Sequence, residues 1–398
     1  MTQNKSLSAV LLITGTSIGA GMLALPVTTA PAGWWGAVVL LLACWFVMYL
    51  AGLLVIETSL WLPVGTHFLS MTRRTLGPAG ELFALISFLA LLYSLMAAYL
   101  VGGSSLLHDA ISMISPLSLS NWVGPMLWVV IAALVVGFGI QWVDIINRLL
   151  VMGLVIGYVL LTVSAMPHVH FNQLPSGHFS HLLLALPVVI TAFGYHVVIP
   201  SIRNHLTDHP NKIVKVLLVG TLIPLMVYLL WEYIILAMLP LQGANGLLSI
   251  LKSGDPAATL SNTIAKMVHS PWVSVGTRLF VFFALTSSYL GIAFALFDFI
   301  YDGLKMRAIP GRRPLALLLA FVPPLLYAIY FSHGFIIALS YAGIFVAILH
   351  GIIPVMMVYA GRKKFKHAAY TTPGGIFALG LVMVFSVIVI VCDLLGST

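Results

Sequence analysis

The chain has 398 residues, of which 61% are hydrophobic and only 7% are charged, with a formal net charge of +8. Soluble domains carry about 25% charged residues, so this composition excludes a soluble globular chain. The positive charge does not indicate nucleic-acid binding, because the lysines and arginines lie in short loops between apolar runs. Runs of about 20 apolar residues are typical of transmembrane helices. We therefore predict an all-α integral membrane protein that is surrounded by lipid.

Eleven apolar segments predict eleven transmembrane helices within a single domain, 1–398. Their approximate limits are 7–31, 35–60, 79–106, 122–140, 144–166, 181–200, 212–239, 273–303, 315–332, 335–360 and 374–395. Turn signals separate them, among them Pro31-Ala32-Gly33 and Gly77-Pro78. The first segment is too long and too rich in glycine for a cleaved signal peptide, so we interpret it as a span of the mature protein.

Lysine and arginine are distributed unevenly between the two sides of the predicted membrane. With a cytoplasmic N-terminus, the inner loops hold Lys5, Arg73, Arg74, Arg148, Arg203, Lys212, Lys215, Lys305, Arg307, Arg312, Arg313, Arg362, Lys363, Lys364 and Lys366. The outer side holds only Lys252 and Lys266, with Arg278 near the outer end of the eighth segment. The positive-inside rule therefore predicts that the N-terminus is cytoplasmic and the C-terminus is outside.

The first segment is apolar but rich in residues that weaken a helix. Gly15, Gly19 and Gly21 each disfavour a helix by about 1 kcal/mol relative to alanine. Pro26 follows, and proline has no N–H group to donate. Backbone groups freed inside a membrane need partners, so an unwound segment persists only where it is buried in protein or lines a wet cavity. The pattern predicts an interrupted helix at a binding site.

The sixth segment repeats this pattern. Gly194 interrupts an apolar run that Pro200 closes, and Gly21 and Pro26 occur in the same order in the first segment. The two breaks open two sets of five helices, 1–166 and 181–360, and the second set is inverted because five is odd; 374–395 is an extra eleventh helix. Paired interruptions in corresponding positions indicate a midplane transport site. Glycines that serve only close helix packing are the alternative.

Three motifs resemble those of a known family. They are Gly15-Thr16-Ser17-Ile18-Gly19-Ala20-Gly21-Met22-Leu23-Ala24-Leu25-Pro26, then Phe193-Gly194-Tyr195-His196 with Ile199-Pro200-Ser201-Ile202, and Ser287-Ser288-Tyr289-Leu290-Gly291 with Leu296-Phe297-Asp298-Phe299. Their order and the eleven-span layout over the whole chain are similar to the bacterial tyrosine/tryptophan permeases, the aromatic amino acid branch of the amino acid/auxin permease group.

This resemblance implies a LeuT-type 5+5 inverted repeat with broken helices 1 and 6. It also implies proton-coupled import of an aromatic amino acid across the bacterial inner membrane by alternating access. It does not fix tyrosine over tryptophan; we take tyrosine as the first candidate. A sodium-coupled symporter of a neutral amino acid is the alternative, because Thr286, Ser287 and Ser288 form a hydroxyl cluster where LeuT-like proteins can bind sodium.

The two breaks supply the predicted substrate contacts. Bare N–H groups at the start of a half-helix favour a carboxylate, and bare carbonyls favour an ammonium. The expected carboxylate donors are the N–H groups of Ser17, Ile18, Gly19, Ala20 and Gly21, with the hydroxyls of Thr16 and Ser17 nearby. The expected ammonium acceptors are the carbonyls of Thr14, Gly15, Phe193 and Gly194. The hydroxyls of Thr16 and Ser17 have an alternative role, which is to bond carbonyls of their own helix.

An aromatic substrate side chain needs apolar and stacking surfaces. The candidates are Phe193, Tyr195, Tyr93, Tyr289 and Tyr341, of which Phe193 is the first because it adjoins a break, and the hydroxyl of Ser288 is a further candidate substrate contact. For any one of these aromatic residues, ordinary packing is the alternative role.

Two titratable residues are candidates for carrying the coupling proton. Glu232 is the most deeply placed acid, and a charge there would cost at least about 2.5 kcal/mol. His196 directly follows the second break, and histidine titrates in the range a proton relay needs. Structural hydrogen bonding is the alternative for both residues, and Thr286 and Ser287 are the candidate cation ligands.

No feature of the sequence indicates an enzyme, a cofactor or a metal site. Cys44 and Cys392 lie in apolar runs without disulfide or metal spacing. There is no nucleotide-binding loop of the Gly-x-x-x-x-Gly-Lys type and no His-Glu-x-x-His pattern. A channel, built around a pore lined by an oligomer, fits less well with one asymmetric and internally repeated unit. The predicted partners are an amino acid, protons or sodium, and lipid; the sequence leaves the oligomeric state open.

Overall fold

A computed structural model describes residues 2–114, 120, 122–169, 174–206, 209–253, 256–267, 270–303, 306, 311–365 and 369–396. Within these residues the chain is helical, apart from turns and one isolated bridge between Gly33 and Ser176. The α-helices are α1 (Thr2–Ser17), α2 (Gly21–Thr29), α3 (Gly33–Leu60), α4 (Phe68–Ile114), α5 (Val123–Phe138), α6 (Ile140–Ala165), α7 (Leu182–Thr191), α8 (Ile199–Leu206), α9 (Pro210–Met238), α10 (Leu247–Leu251), α11 (Pro256–Met267), α12 (Pro271–Gly303), α13 (Arg313–Tyr330), α14 (Phe335–Val346), α15 (Ile353–Lys364) and α16 (Gly375–Gly396).

The all-helical prediction is confirmed, and each of the eleven predicted segments coincides with one helix or a pair of helices. In the described part of the chain, nine helices are long and apolar enough to cross a membrane. The count of eleven is not confirmed, for two reasons of length. The first segment is divided into α1, of 16 residues, and α2, of 9 residues, and neither is long enough to cross a membrane alone. α5 has 16 residues, about 24 Å of helix against a hydrocarbon core of about 30 Å.

Two details of the predicted boundaries differ in the structure. The Gly77-Pro78 signal produces a kink rather than a loop, because Gly77 takes a non-helical φ of 80° and separates residues 68–76 from the rest of α4. Among the predicted inner-loop residues, Lys305, Arg307 and Lys366 lie outside the residues that the structure describes.

The start of α3 is joined to the segment that precedes α7. Trp34 N donates to Pro175 O at 3.2 Å, and His178 N donates to Pro31 O at 3.2 Å. Gly33 has φ 72°, and a Cβ there would lie 2.6 Å from Pro175 O, so both the conformation and the close approach require glycine. These contacts put the α2–α3 turn and the α6–α7 connection at the same end of the bundle.

A second tie, the Glu57 clasp, joins α3, α15 and the segment before α16. Glu57 is fully buried and accepts two hydrogen bonds from Arg362, at 2.7 and 2.9 Å. It also accepts a hydrogen bond from Thr372 N at 2.7 Å. Nearby on α8, buried Arg203 donates to Ser59 O and to Leu62 O at the end of α3. A buried carboxylate is tolerated here because charge-assisted hydrogen bonds compensate for its lost hydration.

Close packing between α6 and α12 depends on small residues. α6 runs along α12, and Gly157 and Gly276 are the points of closest approach. A Cβ on Gly157 would lie 2.7 Å from Phe280 N, and one on Gly276 would lie 2.8 Å from Leu161 N. Small residues at a helix interface let the two backbones approach closely, so van der Waals contacts stabilise the pair. In a membrane the hydrophobic effect does not drive helices together, because lipid is as apolar as the side chains.

Candidate functional site

The first predicted break is present, and it lies at residues 18–20 between α1 and α2. α1 ends with Ile18 N donating to Thr14 O at 2.9 Å. α2 begins with a tight first turn, in which Met22 N donates to Gly19 O at 3.2 Å. Gly15 stays helical within α1, and Pro26 lies inside α2. The glycines thus mark the broken segment, but Pro26 does not terminate it.

The second predicted break is also present, at residues 192–195 between α7 and a short 3-10 turn, His196–Val198, that leads into α8. Phe193 N donates to Ile190 O at 3.1 Å, and Tyr195 N donates to Phe193 O at 3.1 Å. Both breaks therefore replace part of the regular helical bonding with shorter-range bonds, and they leave main-chain groups available to other partners.

The two breaks are joined by one hydroxyl group of α9. The Tyr228 hydroxyl lies 2.6 Å from Ser17 O and 2.8 Å from Ala192 O, the carbonyls at the ends of α1 and α7. Tyr228 is completely buried. A hydroxyl has one proton, so it can donate to only one of the two carbonyls at a time. Sequence reasoning missed Tyr228; its position four residues before Glu232, on the same helical face, was the available signal.

A second side chain reaches the first break from α12. Ala20 N donates to Ser288 Oγ at 2.9 Å, which makes Ser288 a cap supplied to α2 by another helix. Gly19 packs against this hydroxyl so closely that any Cβ would lie 2.5 Å from Ser288 Oγ. The structure thus brings Ser288 and the predicted Gly19–Gly21 segment together.

Aromatic rings surround the two breaks. Phe193 meets Tyr228 edge-on, with ring centroids 5.4 Å apart. Tyr289 is buried beside Trp128 of α5, at 6.4 Å between centroids, and its hydroxyl has no hydrogen-bond partner among the described residues. Trp231 donates through Nε1 to Met22 O at 2.9 Å, within α2. Trp128 and Trp231 were not predicted, because tryptophan in a transmembrane segment has no distinguishing pattern.

Other predicted residues are engaged elsewhere. The hydroxyls of Thr16 and Ser17 bond Leu12 O and Ile13 O of their own helix, and those of Thr286 and Ser287 bond Phe282 O and Ala284 O in the same way. Thr14 Oγ1 donates to Gly220 O of α9, and Tyr93 donates to Leu319 O of α13. Tyr341 is 42% exposed. The residues in this group are Thr14, Thr16, Ser17, Tyr93, Thr286, Ser287 and Tyr341.

Glu232 lies in α9 one helical turn beyond Tyr228 and is completely buried. Its described partner is the Thr29 hydroxyl at the end of α2, which lies 3.1 Å from Oε1 and 3.0 Å from Oε2. A hydroxyl is a weak partner for a buried carboxylate, because it carries no opposite charge. The acid predicted as a proton carrier is therefore held against the helix that follows the first break.

His196 is part of a stack of three rings beside the second break. Tyr195 lies on one side and His350 on the other, each with ring centroids 4.5 Å from those of His196. The Tyr195 hydroxyl donates to Met48 O at 2.9 Å, and His196 Nε2 lies 3.0 Å from the same oxygen. A carbonyl only accepts, so Nε2 carries the proton in this arrangement. His350 was not predicted, since it lies in an otherwise apolar run.

Comparison with known proteins gives a consistent family. The family model of the tryptophan/tyrosine permeases matches residues 2–393. A tryptophan-specific transport protein of Haemophilus influenzae is 31% identical over 99% of this chain and 97% of its own length. A tyrosine-specific transport system 1 of the same organism is 33% identical over 97% and 96%. A low affinity tryptophan permease of Escherichia coli strain K12 is 30% identical over 96% and 94%.

These matches extend over nearly the entire length of the chain and of each relative. The resemblance carried by the three motifs is thereby confirmed, together with a transport role rather than an enzymatic one. With its two facing helix breaks and its apolar helices, the chain is a multi-pass membrane protein that belongs to the tryptophan/tyrosine permease family.

Proposed function

We propose that the protein imports an aromatic amino acid across the bacterial inner membrane by proton-coupled symport. The observation that carries the proposal is the Tyr228 hydroxyl, which joins the carbonyls of Ser17 and Ala192 at two adjacent helix breaks. A zwitterion needs donors and acceptors within a few ångströms of each other, and two facing half-helix ends supply both. The relatives' names, which specify tryptophan or tyrosine, support the substrate class.

The amino and carboxylate groups of the substrate are assigned to the two breaks. The carboxylate takes the place of the Ser288 hydroxyl on Ala20 N and uses the positive end of α2. The ammonium takes carbonyls of the last turn of α1, from Thr14 and Gly15, where Thr14 O also accepts from Ile18 N, and carbonyls of Phe193 and Gly194 in the second break. Because the substrate carboxylate replaces the Ser288 hydroxyl as acceptor, Ala20 N is hydrogen-bonded both with and without substrate.

The aromatic side chain of the substrate is assigned to the neighbourhood of the rings of Phe193, Tyr289 and Trp128. The Tyr289 hydroxyl is buried without a described partner, so a substrate polar group would satisfy it. A phenol both donates to and accepts from a hydroxyl, while an indole N–H only donates. We therefore expect tyrosine ahead of tryptophan.

The proposal includes eleven transmembrane helices and a LeuT-type 5+5 inverted repeat, 1–166 and 181–360, with 374–395 as the extra helix. The matched breaks, each preceding a five-helix set, support it. Alternating access then moves one set against the other around the fixed site. Glu232 and His196 are the candidate proton carriers. Sodium-coupled symport is the alternative, because Thr286 and Ser287 donate to carbonyls of their own helix and keep their oxygen lone pairs for a cation.

Uptake by purified protein in liposomes tests the function. Labelled tyrosine, tryptophan and phenylalanine are offered under an inward proton gradient and, separately, under a sodium gradient. We expect accumulation of tyrosine and tryptophan under the proton gradient, and its loss when a protonophore is added. Accumulation that follows only the sodium gradient would overturn proton coupling, and absence of uptake of all three amino acids would overturn the substrate class.

The variant Glu232→Gln separates the two candidate carriers. Glutamine keeps the size of the side chain and an oxygen for the Thr29 hydroxyl, but it cannot take up a proton. Loss of the dependence of uptake on external pH would identify Glu232 as the carrier, and an unchanged dependence would exclude it. Glu81→Gln is the matched control, because Glu81 pairs with Arg73 at 3.5 Å on a partly exposed surface away from both breaks.

A further inference from the structure

His350 lies in a segment where the helix widens. Between α14 and α15, residues Ala347–Ile352 form a π-helical turn, and His350 in that turn is 1% exposed. π-helical turns inside α-helices are rare and occur frequently at functional sites. The imidazole of His350 stacks on that of His196, with centroids 4.5 Å apart and planes at 17°. The π-helical turn thus positions the ring of His350 face to face with the ring of His196.

Three of the four ring nitrogens in this pair are unpaired. Nδ1 and Nε2 of His350 and Nδ1 of His196 are buried without a hydrogen-bond partner among the described residues. Buried polar groups in folded proteins are almost always hydrogen-bonded, and each exception calls for an explanation. Packing alone would be served better by an apolar ring of similar size. The unpaired ring nitrogens of His196 and His350 therefore have no evident role in packing.

The pair borders the second break. A Cβ on Gly194 would lie 3.8 Å from Cε1 and 4.0 Å from Nδ1 of His350. The edge of the His350 ring consequently faces the stretch of main chain to which the proposed function assigns the substrate ammonium. An imidazolium at His350 would repel the ammonium and attract the carboxylate of a bound zwitterion, so the charge on His350 acts on the position of both substrate groups.

The groups that face the pair leave it without a counter-charge. Tyr195 stacks on His196, and Tyr49 of α3 follows Met48, whose carbonyl bonds both Tyr195 and His196. The acids and bases on the other packed elements bond to different partners. These pairs are Glu57 with Arg362, Asp393 of α16 with Ser340 of α14, and Arg203 of α8 with Leu62 O. Neither imidazole has an ion-pair partner within the described ranges.

We infer that His196 and His350 together form the site of the coupling proton, and that His350 is the residue that takes it up. This rests on the proposed function. A proton from the outer solution adds to a free ring nitrogen of His350 and converts it to an imidazolium, and it leaves to the cytoplasm when the site opens inward. Two stacked imidazolium rings repel at 4.5 Å, so the pair holds one proton rather than two.

The test compares His350→Gln with His333→Gln, which alters an exposed loop histidine. Proton-gradient-driven accumulation of labelled tyrosine and the alkalinisation that accompanies uptake are measured in liposomes, with exchange of external for internal tyrosine as the uncoupled reaction. We expect accumulation to fall at least tenfold in His350→Gln while exchange persists, and both to match the wild type in His333→Gln. Unchanged accumulation in His350→Gln, or loss of coupling in Glu232→Gln alone, would overturn the inference and leave the proposed function intact.

A measurement on the unaltered protein covers the case in which His350→Gln does not fold. Infrared difference spectra are recorded on tyrosine binding, with protein in which the histidine rings carry ¹³C. An isotope-sensitive imidazolium band that appears with tyrosine supports the inference, and its absence overturns it. Failure of the wild-type protein to use a proton gradient would instead overturn the proposed function itself.

Discussion

A single hydroxyl group, that of Tyr228, lies within hydrogen-bonding distance of carbonyls in both broken helices. These carbonyls end α1 and α7, so neither has an intrahelical donor of its own. Tyr228 is completely buried, so solvent does not supply a substitute donor for the two carbonyls. The geometry of the two breaks therefore depends on one side chain outside both of them.

The variant Tyr228→Phe removes this hydroxyl and keeps the ring against Phe193. We expect a loss of about 1–3 kcal/mol in the free energy of unfolding, because two buried carbonyls then share no donor. We also expect uptake to fall at least tenfold. Tyr158→Phe is the matched control, since that hydroxyl bonds a carbonyl within α9, Val227 O, at 3.0 Å and neither of the carbonyls at the breaks. Equal losses in the two variants would show that Tyr228 has no special role.

Residue-level prediction succeeded where backbone chemistry left a signature. Gly19, Gly21 and Gly194 lie in or directly beside the two breaks, as the low helix propensity of glycine predicts. Tyr228, Trp128 and His350 were missed for the opposite reason. Their roles depend on which neighbouring helix they face, and one sequence of continuous apolar runs carries no periodic signal for that.

At the scale of elements, α12 packs closely against the first break because Gly19 has no side chain. Gly19→Ala would place a methyl group 2.5 Å from Ser288 Oγ and force the serine off Ala20 N. We expect uptake to fall at least tenfold in Gly19→Ala. We expect a smaller further loss when the same change is made in Ser288→Ala, because the methyl group then has space. Gly291→Ala is the control, because Gly291 lies in α12, as Ser288 does, and a Cβ there would have no atom within 4 Å. Strictly additive losses in thermal stability and uptake would contradict this coupling.

The Glu57 clasp holds three elements through one buried carboxylate. Arg362→Ala leaves Glu57 buried with Thr372 N as its described donor, and an uncompensated buried charge costs about 3–5 kcal/mol. We therefore expect a clear fall in the melting temperature in detergent. The double variant Glu57→Gln with Arg362→Ala should recover part of it, because no charge is then buried. Arg73→Ala, at an exposed ion pair, should change little. A double variant no more stable than Arg362→Ala would contradict a charge effect.

Element boundaries were predictable because apolar runs and turn residues are local properties. The predicted limits of α9 differ from the observed ones by two residues or fewer. The Gly77-Pro78 signal predicted an interruption, and α4 is kinked there, whereas the π-helical turn at Ala347–Ile352 was not predicted. The π-helical turn leaves its hydrophobic run unbroken, so tertiary contacts decide it rather than composition.

For the whole molecule, contacts between helix ends divide the loops into two groups. One group joins Gly33 with Ser176, a segment that also lines a cavity with Met238 to Gln242. The other joins Gly65 N with Asn204 and Lys364 with Arg74 O. Every one of these contacts links two loops that alternation of eleven spans puts on the same side. The contacts thus support the proposed topology without identifying which side is cytoplasmic.

The distribution of basic residues supplies that missing direction, and reporter fusions test it. The end that contains Arg74, Arg203 and Arg362 carries most of the positive charge, so we expect it to face the cytoplasm. A green fluorescent protein fused after Phe365 should fluoresce, and an alkaline phosphatase fused after Gly396 should be active, because α16 crosses the membrane between them. The exchanged reporters, phosphatase after Phe365 and fluorescent protein after Gly396, serve as controls and should both be silent. Fluorescence at both positions would mean that α16 does not cross, and the reverse pattern would mean that the whole bundle is inverted.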